Sequence, residues 1–497
     1  MSAPAEVGEA QKLRRELNIW EAIGISVALM APSMAANINP QGTAGTVGRA
    51  VPLAFALATV GVLLVAYTFV RLCQRYNHAG SVYGFVGATL GPHAGVVAGW
   101  ALMGTYIFYG VVTSMAAGIF GTAFLDAVGI WNHPPTWAPF LIAALALVAV
   151  FALAAARIQG GTRLLLAVEG TTVLLILIVS VIVLAKLLGG SAPGGHKVTA
   201  SVFTVPHGTP VTALFLGVVF GFLSFAGFEA SATLGEEARR PRRDIPRAIL
   251  GTAIFGGLYF VFVTAVEVMG FGADDKGVKA FQGSQSLLGD LATSYIAGWV
   301  GDLITLGTAV SAFGCALAST VAAARLLFAL ARDGVLPGEA ARVSPGRRTP
   351  VVATLVVVVA MYVIIAVCAG IFGAKPFDVF AWSGVIGTLI LLVAYALATI
   401  GMVRLVFFSG RSTVPMWQIV IPALALVVIG YTVYRNVIPY PTGAGAWFPV
   451  VCLAWLVVAI VLVFARPQVT RRAGDRLTRE EGLGREVLDA PAAERSV

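Results

Sequence analysis

Gly24-Ile-Ser-Val-Ala-Leu-Met-Ala-Pro-Ser-Met-Ala-Ala-Asn-Ile-Asn-Pro-Gln-Gly42 is an apolar stretch that interrupts itself. Pro32 falls in its middle, followed by Ser33, Asn37, Asn39 and Pro40. Proline brings no backbone donor, and its ring collides with the preceding helical turn. In lipid the carbonyls freed in this way must find other partners. A second stretch, Phe220-Gly-Phe-Leu-Ser-Phe-Ala-Gly-Phe-Glu229, has the same character. Gly227 weakens the helix there, and Glu229 puts a carboxylate where charge is expensive.

The surrounding chain is membrane-like throughout. Of its 497 residues, 58% are hydrophobic and 11% charged, whereas soluble domains average about 45–50% and about 25%. This excludes a soluble globular enzyme, a disordered chain and a disulfide scaffold. A membrane helix needs roughly 20 apolar residues. Twelve such spans are expected, at 20–48, 52–76, 92–125, 137–156, 163–188, 211–236, 246–272, 297–330, 350–373, 377–408, 415–436 and 446–465. Gly189 to His196 reads as an external linker, and the chain after Arg466 as a charged tail. Residues 1–17 lack the short apolar core and cleavage site of a signal peptide, so the first span is expected to insert and stay. Cys73, Cys315, Cys368 and Cys452 lie in or beside apolar stretches without metal-ligand spacing and read as buried free thiols.

Charge sets the orientation. With the N-terminus inside, 26 of the 33 Lys and Arg fall on inward segments and 7 on outward ones. That asymmetry is the positive-inside signature. It places both termini in the cytoplasm and requires an even number of spans. The net charge of +9 therefore needs no nucleic acid to explain it. The two interruptions, near residues 33 and 225, each open a group of five spans. Five is odd, so the groups enter the membrane in opposite senses. Interrupted helices at corresponding places in two halves point to an inverted-repeat transporter with its site at the midplane; the alternative is two ordinary kinked helices. The expected division is a tail at 1–18, repeats at 19–190 and 208–410, two further helices at 414–466, and a tail at 467–497.

Three segments carry a family resemblance. Gly227-Phe-Glu-Ala-Ser-Ala-Thr-Leu-Gly-Glu-Glu-Ala-Arg-Arg-Pro-Arg-Arg-Asp-Ile-Pro-Arg-Ala-Ile249 resembles the helix 6 to loop 6–7 signature of the amino acid–polyamine–organocation permeases. Gly80 to Trp100 is similar to their loop 2–3 and helix 3, and Ala323 to Pro337 with Arg348-Thr-Pro350 to the end of helix 8 and loop 8–9. The order matches, and the twelve-span plan covers nearly the whole chain. Bacterial amino-acid and putrescine permeases look most similar. The chain departs from the family where many members carry a Gly-rich run in helix 1; here Ala31-Pro-Ser-Met-Ala-Ala-Asn37 stands instead. The resemblance implies an all-α membrane protein of LeuT-type fold, with 12 transmembrane helices, a 5+5 inverted repeat and broken helices 1 and 6. It implies alternating access, in which helices 1, 2, 6 and 7 move against helices 3, 4, 8 and 9.

Unwound helices leave backbone groups free. The N-terminal end of a half-helix attracts anions, and the C-terminal end, with its carbonyls, attracts cations. A zwitterionic amino acid matches both. The expected binding floor is Pro32, Ser33, Met34, Ala35 and Asn37, with Ser224, Phe225, Ala226, Gly227 and Phe228. Ser33 and Ser224 either contact substrate or bond back to their own helices. By resemblance an aromatic at Phe225 or Phe228 gates the pocket; packed rings are the plainer reading. Glu229 either holds a substrate ammonium or pairs structurally. Glu236 and Glu237, beside Arg239 and Arg240, suit a solvated or gating salt bridge. Tyr106, Tyr109, Trp382 and Ser383 are possible walls.

Glu169 is the expected proton-coupling residue. It lies two turns into span 5 among Leu, Ala and Val, where desolvation disfavours a carboxylate's charged form. In some proton-coupled relatives a lysine near this point stands in for a sodium ion behind the helix 1 break. Ser311, Ser319 and Thr320 supply the sodium alternative. Glu267 and Asp302 are expected near the outer interface, in reach of water. The five histidines fall in or beside loops, and no catalytic motif is present. The chain is expected to be no enzyme and to use no metal or cofactor. Its expected partners are an amino acid or amine, a coupling proton in preference to sodium, and the lipid of the cell's inner membrane. Symport, exchange and amine import all remain open, as does oligomeric state.

Overall fold

The computed structural model describes residues 18–76, 81–156, 160–234, 238–342, 349–409 and 414–465. Among them there is no β-strand, and eleven continuous helical stretches are long and apolar enough to cross a membrane. The first, Ile19–Arg75, runs 57 residues. Straight, it would reach about 85 Å, nearly three bilayer cores. It is instead cut at Ala31 and turned at Gly48, whose φ is 57°.

The cut follows from sequence. α1 (Ile19–Met30) opens on a capping box: Asn18 Oδ1 accepts from the Trp20 and Glu21 N–H groups at 2.9 and 3.1 Å, and Glu21 Oε2 accepts from the Asn18 N–H at 2.8 Å. It closes at Ala31, held left-handed at φ 44°. Proline disfavours the α conformation in the residue before it and is tolerated as the first residue of a helix. Pro32 therefore ends α1 and begins α2 (Pro32–Val47).

There follow α3 (Val51–Arg75), α4 (Ser81–Leu90), α5 (Pro92–Ala127), α6 (Ala138–Ala156) and α7 (Gly160–Leu188). α8 (Leu214–Phe225) stops at a turn over Ala226–Glu229, with Gly227 at φ 97°, and a short 3-10 helix, Ala230–Leu234, continues it. Next come α9 (Pro241–Phe271), two short helices α10 (Asp275–Gly283) and α11 (Leu287–Tyr295), and α12 (Gly298–Arg332). α13 (Val351–Gly370), α14 (Pro376–Val403), α15 (Val420–Arg435) and α16 (Trp447–Ala465) complete the set. The expected bounds 92–125, 137–156 and 211–236 meet Pro92–Ala127, Ala138–Ala156 and Val211–Leu234. The short helices α4, α10 and α11 were not foreseen as separate elements.

α5 is the central post, packed on α4, α6, α12 and α14, while α3 packs on α9 and α2 on α8. Small residues permit these approaches. A Cβ at Gly118 would lie 2.1 Å from the Pro139 carbonyl oxygen, so α5 and α6 touch through backbone. α16 is fixed by a reciprocal pair: the Trp100 indole donates to the Trp455 carbonyl at 2.9 Å, and the Trp455 indole to the Trp100 carbonyl at 3.0 Å. Large apolar side chains such as Leu258, Leu453 and Phe464 remain exposed, as lipid contact requires.

Two glycines bear directly on this architecture. Gly118→Ala should lower stability by about 1–3 kcal/mol, because Pro139 is backbone and cannot yield as a side chain does. Gly227→Ala should cost about as much again, through its positive φ and through the Leu29 Cβ lying 2.8 Å from the added methyl. Thermal unfolding in detergent checks both; unchanged midpoints would refute the close approaches.

Candidate substrate site between the two broken helices

The two interruptions meet. Asn39 Nδ2 of α2 donates to Ser224 Oγ of α8 at 2.7 Å. The Ser231 N–H, past the second break, donates to Ser26 Oγ of α1 at 3.0 Å. Gly227 lies against Leu29. Both breaks are sealed from solvent: Ser33 and Ser224 are fully buried, and Met34, Ala35, Asn37, Phe225, Phe228 and Glu229 nearly so.

The groups freed at the first break have partners. Glu169 of α7 reaches the N-terminal end of α2, where Oε1 accepts from the Ser33 N–H at 3.0 Å and Oε2 from the Ser33 hydroxyl at 2.8 Å. Two donors on two oxygens is the arrangement an ionised carboxylate accepts, and a helix N-terminus favours an anion. Ser311 of α12 lies beside the same carboxylate. At the end of α1, the Leu29 carbonyl accepts from the Cys315 thiol at 3.1 Å. The Ala35 N–H returns to the Ala31 carbonyl at 2.9 Å.

Around the second break lies a carboxylate among rings. Tyr106 and Tyr109 of α5 and Tyr395 of α14 surround Glu229. Phe228 packs edge-on to Phe69 and Tyr395, with centroids 5.9 and 6.1 Å apart. Glu229 and the Tyr395 hydroxyl are buried next to one another. A buried acid flanked by aromatic faces is suited to an ammonium group.

Several of the expected residues are engaged within the protein. The Ser33 and Ser224 hydroxyls are both spent within the protein, Ser224 Oγ also donating to the Phe220 carbonyl at 2.8 Å. Asn37 Oδ1 accepts from the Leu288 N–H at 2.8 Å, tying α2 to the start of α11. Phe225 packs edge-on to Phe260 at 5.3 Å. Tyr109 bonds Thr388, while Trp382 is half-buried against Phe448. Cys368 is only half-buried. Glu267, expected in reach of water, is fully buried; Asp302 is half-buried. Glu236 and Glu237 lie outside the described residues. Among the described residues no group of His, Cys, Asp and Glu could hold a metal. Cys315 and Tyr395 were not foreseen at the site, because a thiol and a phenol inside apolar spans give no sign of where they point. A surface cleft of about 400 Å³ between Leu187 and Lys197 lies away from both breaks.

A family model described as amino acid permease matches residues 21–477. The chain is 28% identical over 343 residues to a low-affinity putrescine importer of Escherichia coli (strain K12), covering 68% of this chain and 72% of that one. It is 28% identical over 466 residues to an uncharacterised transporter of Mycobacterium tuberculosis (strain H37Rv), covering 93% of each. It is 25% identical over 365 residues to a branched-chain amino acid permease of Bacillus subtilis (strain 168), covering 69% and 73%. This chain belongs to the amino acid permease family, and is a multi-pass membrane transporter rather than an enzyme.

Proposed function

We propose that the protein imports an amino acid across the plasma membrane by alternating access, driven by protons, with both termini in the cytoplasm. In this reading Ile19–Arg75 crosses twice, which makes twelve crossings and two inverted repeats of five. The packing supports it. Laid on one another, the halves pair α2 with α8, α3 with α9 and α5 with α12, and each of these pairs is in contact. The α5–α14 contact is likewise mirrored by α12–α7.

The observation that carries the proposal is the Glu169–Ser33 contact. It joins an acid of helix 5 to the helix 1 break through bonds that depend on charge. Ionised, Glu169 accepts both Ser33 donors. Protonated, it presents an O–H to a hydroxyl that must turn round to accept it. Proton uptake therefore alters how α7 grips the break. The substrate ammonium would face Glu229 and its rings, and the substrate carboxylate the Met34 N–H at the start of α2. A second reading, amine import, is favoured by the same geometry: Glu169 already occupies the Ser33 N–H, which leaves less of the half-helix for a carboxylate.

Labelled amino acids and putrescine, offered to proteoliposomes with an inward proton gradient, with sodium, or with neither, separate the readings. Accumulation of an amino acid only with the proton gradient is expected; putrescine alone would establish the amine reading, and exchange without accumulation an antiporter. Glu169→Gln keeps the size of the side chain but cannot change charge. It should lower proton-driven uptake at least about tenfold, a loss of about 1.4 kcal/mol, while sparing exchange between loaded and external substrate. Equal loss of both, or of neither, would remove Glu169 from coupling.

A further inference from the structure

Glu267 sits one turn before the end of α9, fully buried, with no hydrogen-bond partner for either carboxylate oxygen. An ionised carboxylate left this way in a membrane protein costs several kcal/mol, and such groups pair, bind a cation or take up a proton. We propose that Glu267 is a second proton-binding site of this transporter, set in the wall between α9 and α7 and separate from Glu169. Its part in transport rests on the functional reading above; its occupancy by a proton does not.

The register of the two helices places its neighbours. A Cβ on Gly270 of α9 would lie 3.3 Å from Val183 Cγ1 of α7. Lower down, Tyr259 of α9 lies within electrostatic reach of Glu169 of α7. The helices therefore run in the same direction. One turn back from Gly270 and Val183 brings Glu267 level with Ser180. Ser180 is fully buried and its hydroxyl has no partner. The Tyr259 hydroxyl, between Glu267 and Glu169, is also buried and unpartnered. Glu267 and Tyr259 on α9 and Ser180 on α7 are thus three unsatisfied buried polar side chains at neighbouring levels of this helix pair.

Among the described residues no cation on the packed elements is placed to neutralise Glu267; His196 lies against Gly272, past the end of α9, and Arg49 donates to the Ser201 carbonyl at 3.2 Å. Lys186 of α7 donates to the Tyr295 carbonyl of α11, and the Tyr295 hydroxyl donates to the Gly270 carbonyl at 3.0 Å. Asp290 of α11 is exposed and accepts from Ser284. Asp275, Lys276 and Lys279 of α10 are exposed to solvent. α2 carries no ionisable side chain, α1 has only Glu21 in its first turn, and the arginines of α3, Arg71 and Arg75, stand at its far end. A proton removes the charge without any new ligand, whereas a metal cation would need several more oxygens than the carboxylate and two hydroxyls supply.

Infrared titration of the purified full-length protein in lipid tests this directly, because a protonated buried carboxyl has its own C=O stretch. The wild type should show such a band persisting at neutral pH. Glu267→Gln should remove it and Glu169→Gln should leave it. Ser180→Ala, which keeps the acid, should not remove it. A band unchanged in folded Glu267→Gln, or one that vanishes when sodium is added, would overturn the proposal. In proteoliposomes Glu267→Gln should lower the proton-to-substrate ratio by one and flatten the dependence on external pH; a wild-type ratio retained in the variant would remove Glu267 from the transport cycle. Wild-type uptake indifferent to protons would refute the functional reading, while the infrared band would still decide the site.

Discussion

A lipid bilayer offers no hydrogen bonds, so every backbone group exposed by a helix break must be answered from inside the protein. The fold here is organised around meeting that demand at Ala31–Ser33. Pro32 forces the cut, and the cut exposes a carbonyl on one side and amides on the other. The Leu29 carbonyl is answered by the Cys315 thiol from α12, and the Ser33 amide by Glu169 from α7. Two further helices are thereby committed to one turn. At the second break Gly227 relieves the backbone directly by adopting a positive φ, and Glu229 lies beside Tyr395 of α14.

Close packing makes these commitments possible. The chain carries 56 glycines, and between membrane helices small residues let backbones approach where lipid gives no hydrophobic drive. α5 meets the Pro139 backbone through Gly118 and Trp455 through Gly104. A post packed this closely carries Tyr106 and Tyr109 within electrostatic reach of Glu229, so the rings come from α5 and the acid from the second break.

The spans and their interruptions were legible in the sequence because apolar runs, Pro32 and Gly227 carry their own physics. The short helices α10 and α11 were not, since segments of nine residues leave too little periodicity to read. That omission explains the error at Glu267. Its depth was judged by distance from the end of its span, which suggested water, yet α11 covers that end through Leu291 beside Gly270 and the Tyr295 bond to the Gly270 carbonyl. Glu169 was legible as an acid in an apolar span. Its partner was not, because the pairing of residues 33 and 169 is tertiary. Ser33 and Ser224 show the same limit: residue type announced a polar contact, and only the fold decided that the contact was internal.

The resemblance implies that a lysine stands near this point of helix 5 in some proton-coupled relatives, and the chemistry of the two groups shows why an acid acts differently. An ammonium can only donate, so it would seek the carbonyls at the end of α1. A carboxylate can only accept, so Glu169 turns to the opposite lip of the break, the Ser33 N–H and hydroxyl at the start of α2. The carbonyl lip then needs a different, weaker donor, and Cys315 provides it. This reversal has a mechanical consequence. A lysine that loses its proton exchanges one donor for an acceptor lone pair, whereas a glutamate that gains one exchanges an acceptor for a donor facing the Ser33 hydroxyl. Glu169 thereby bears on α2, the half-helix whose Asn37 and Asn39 bond α11 and α8, so that its contact with Ser33 is joined through one segment to both breaks.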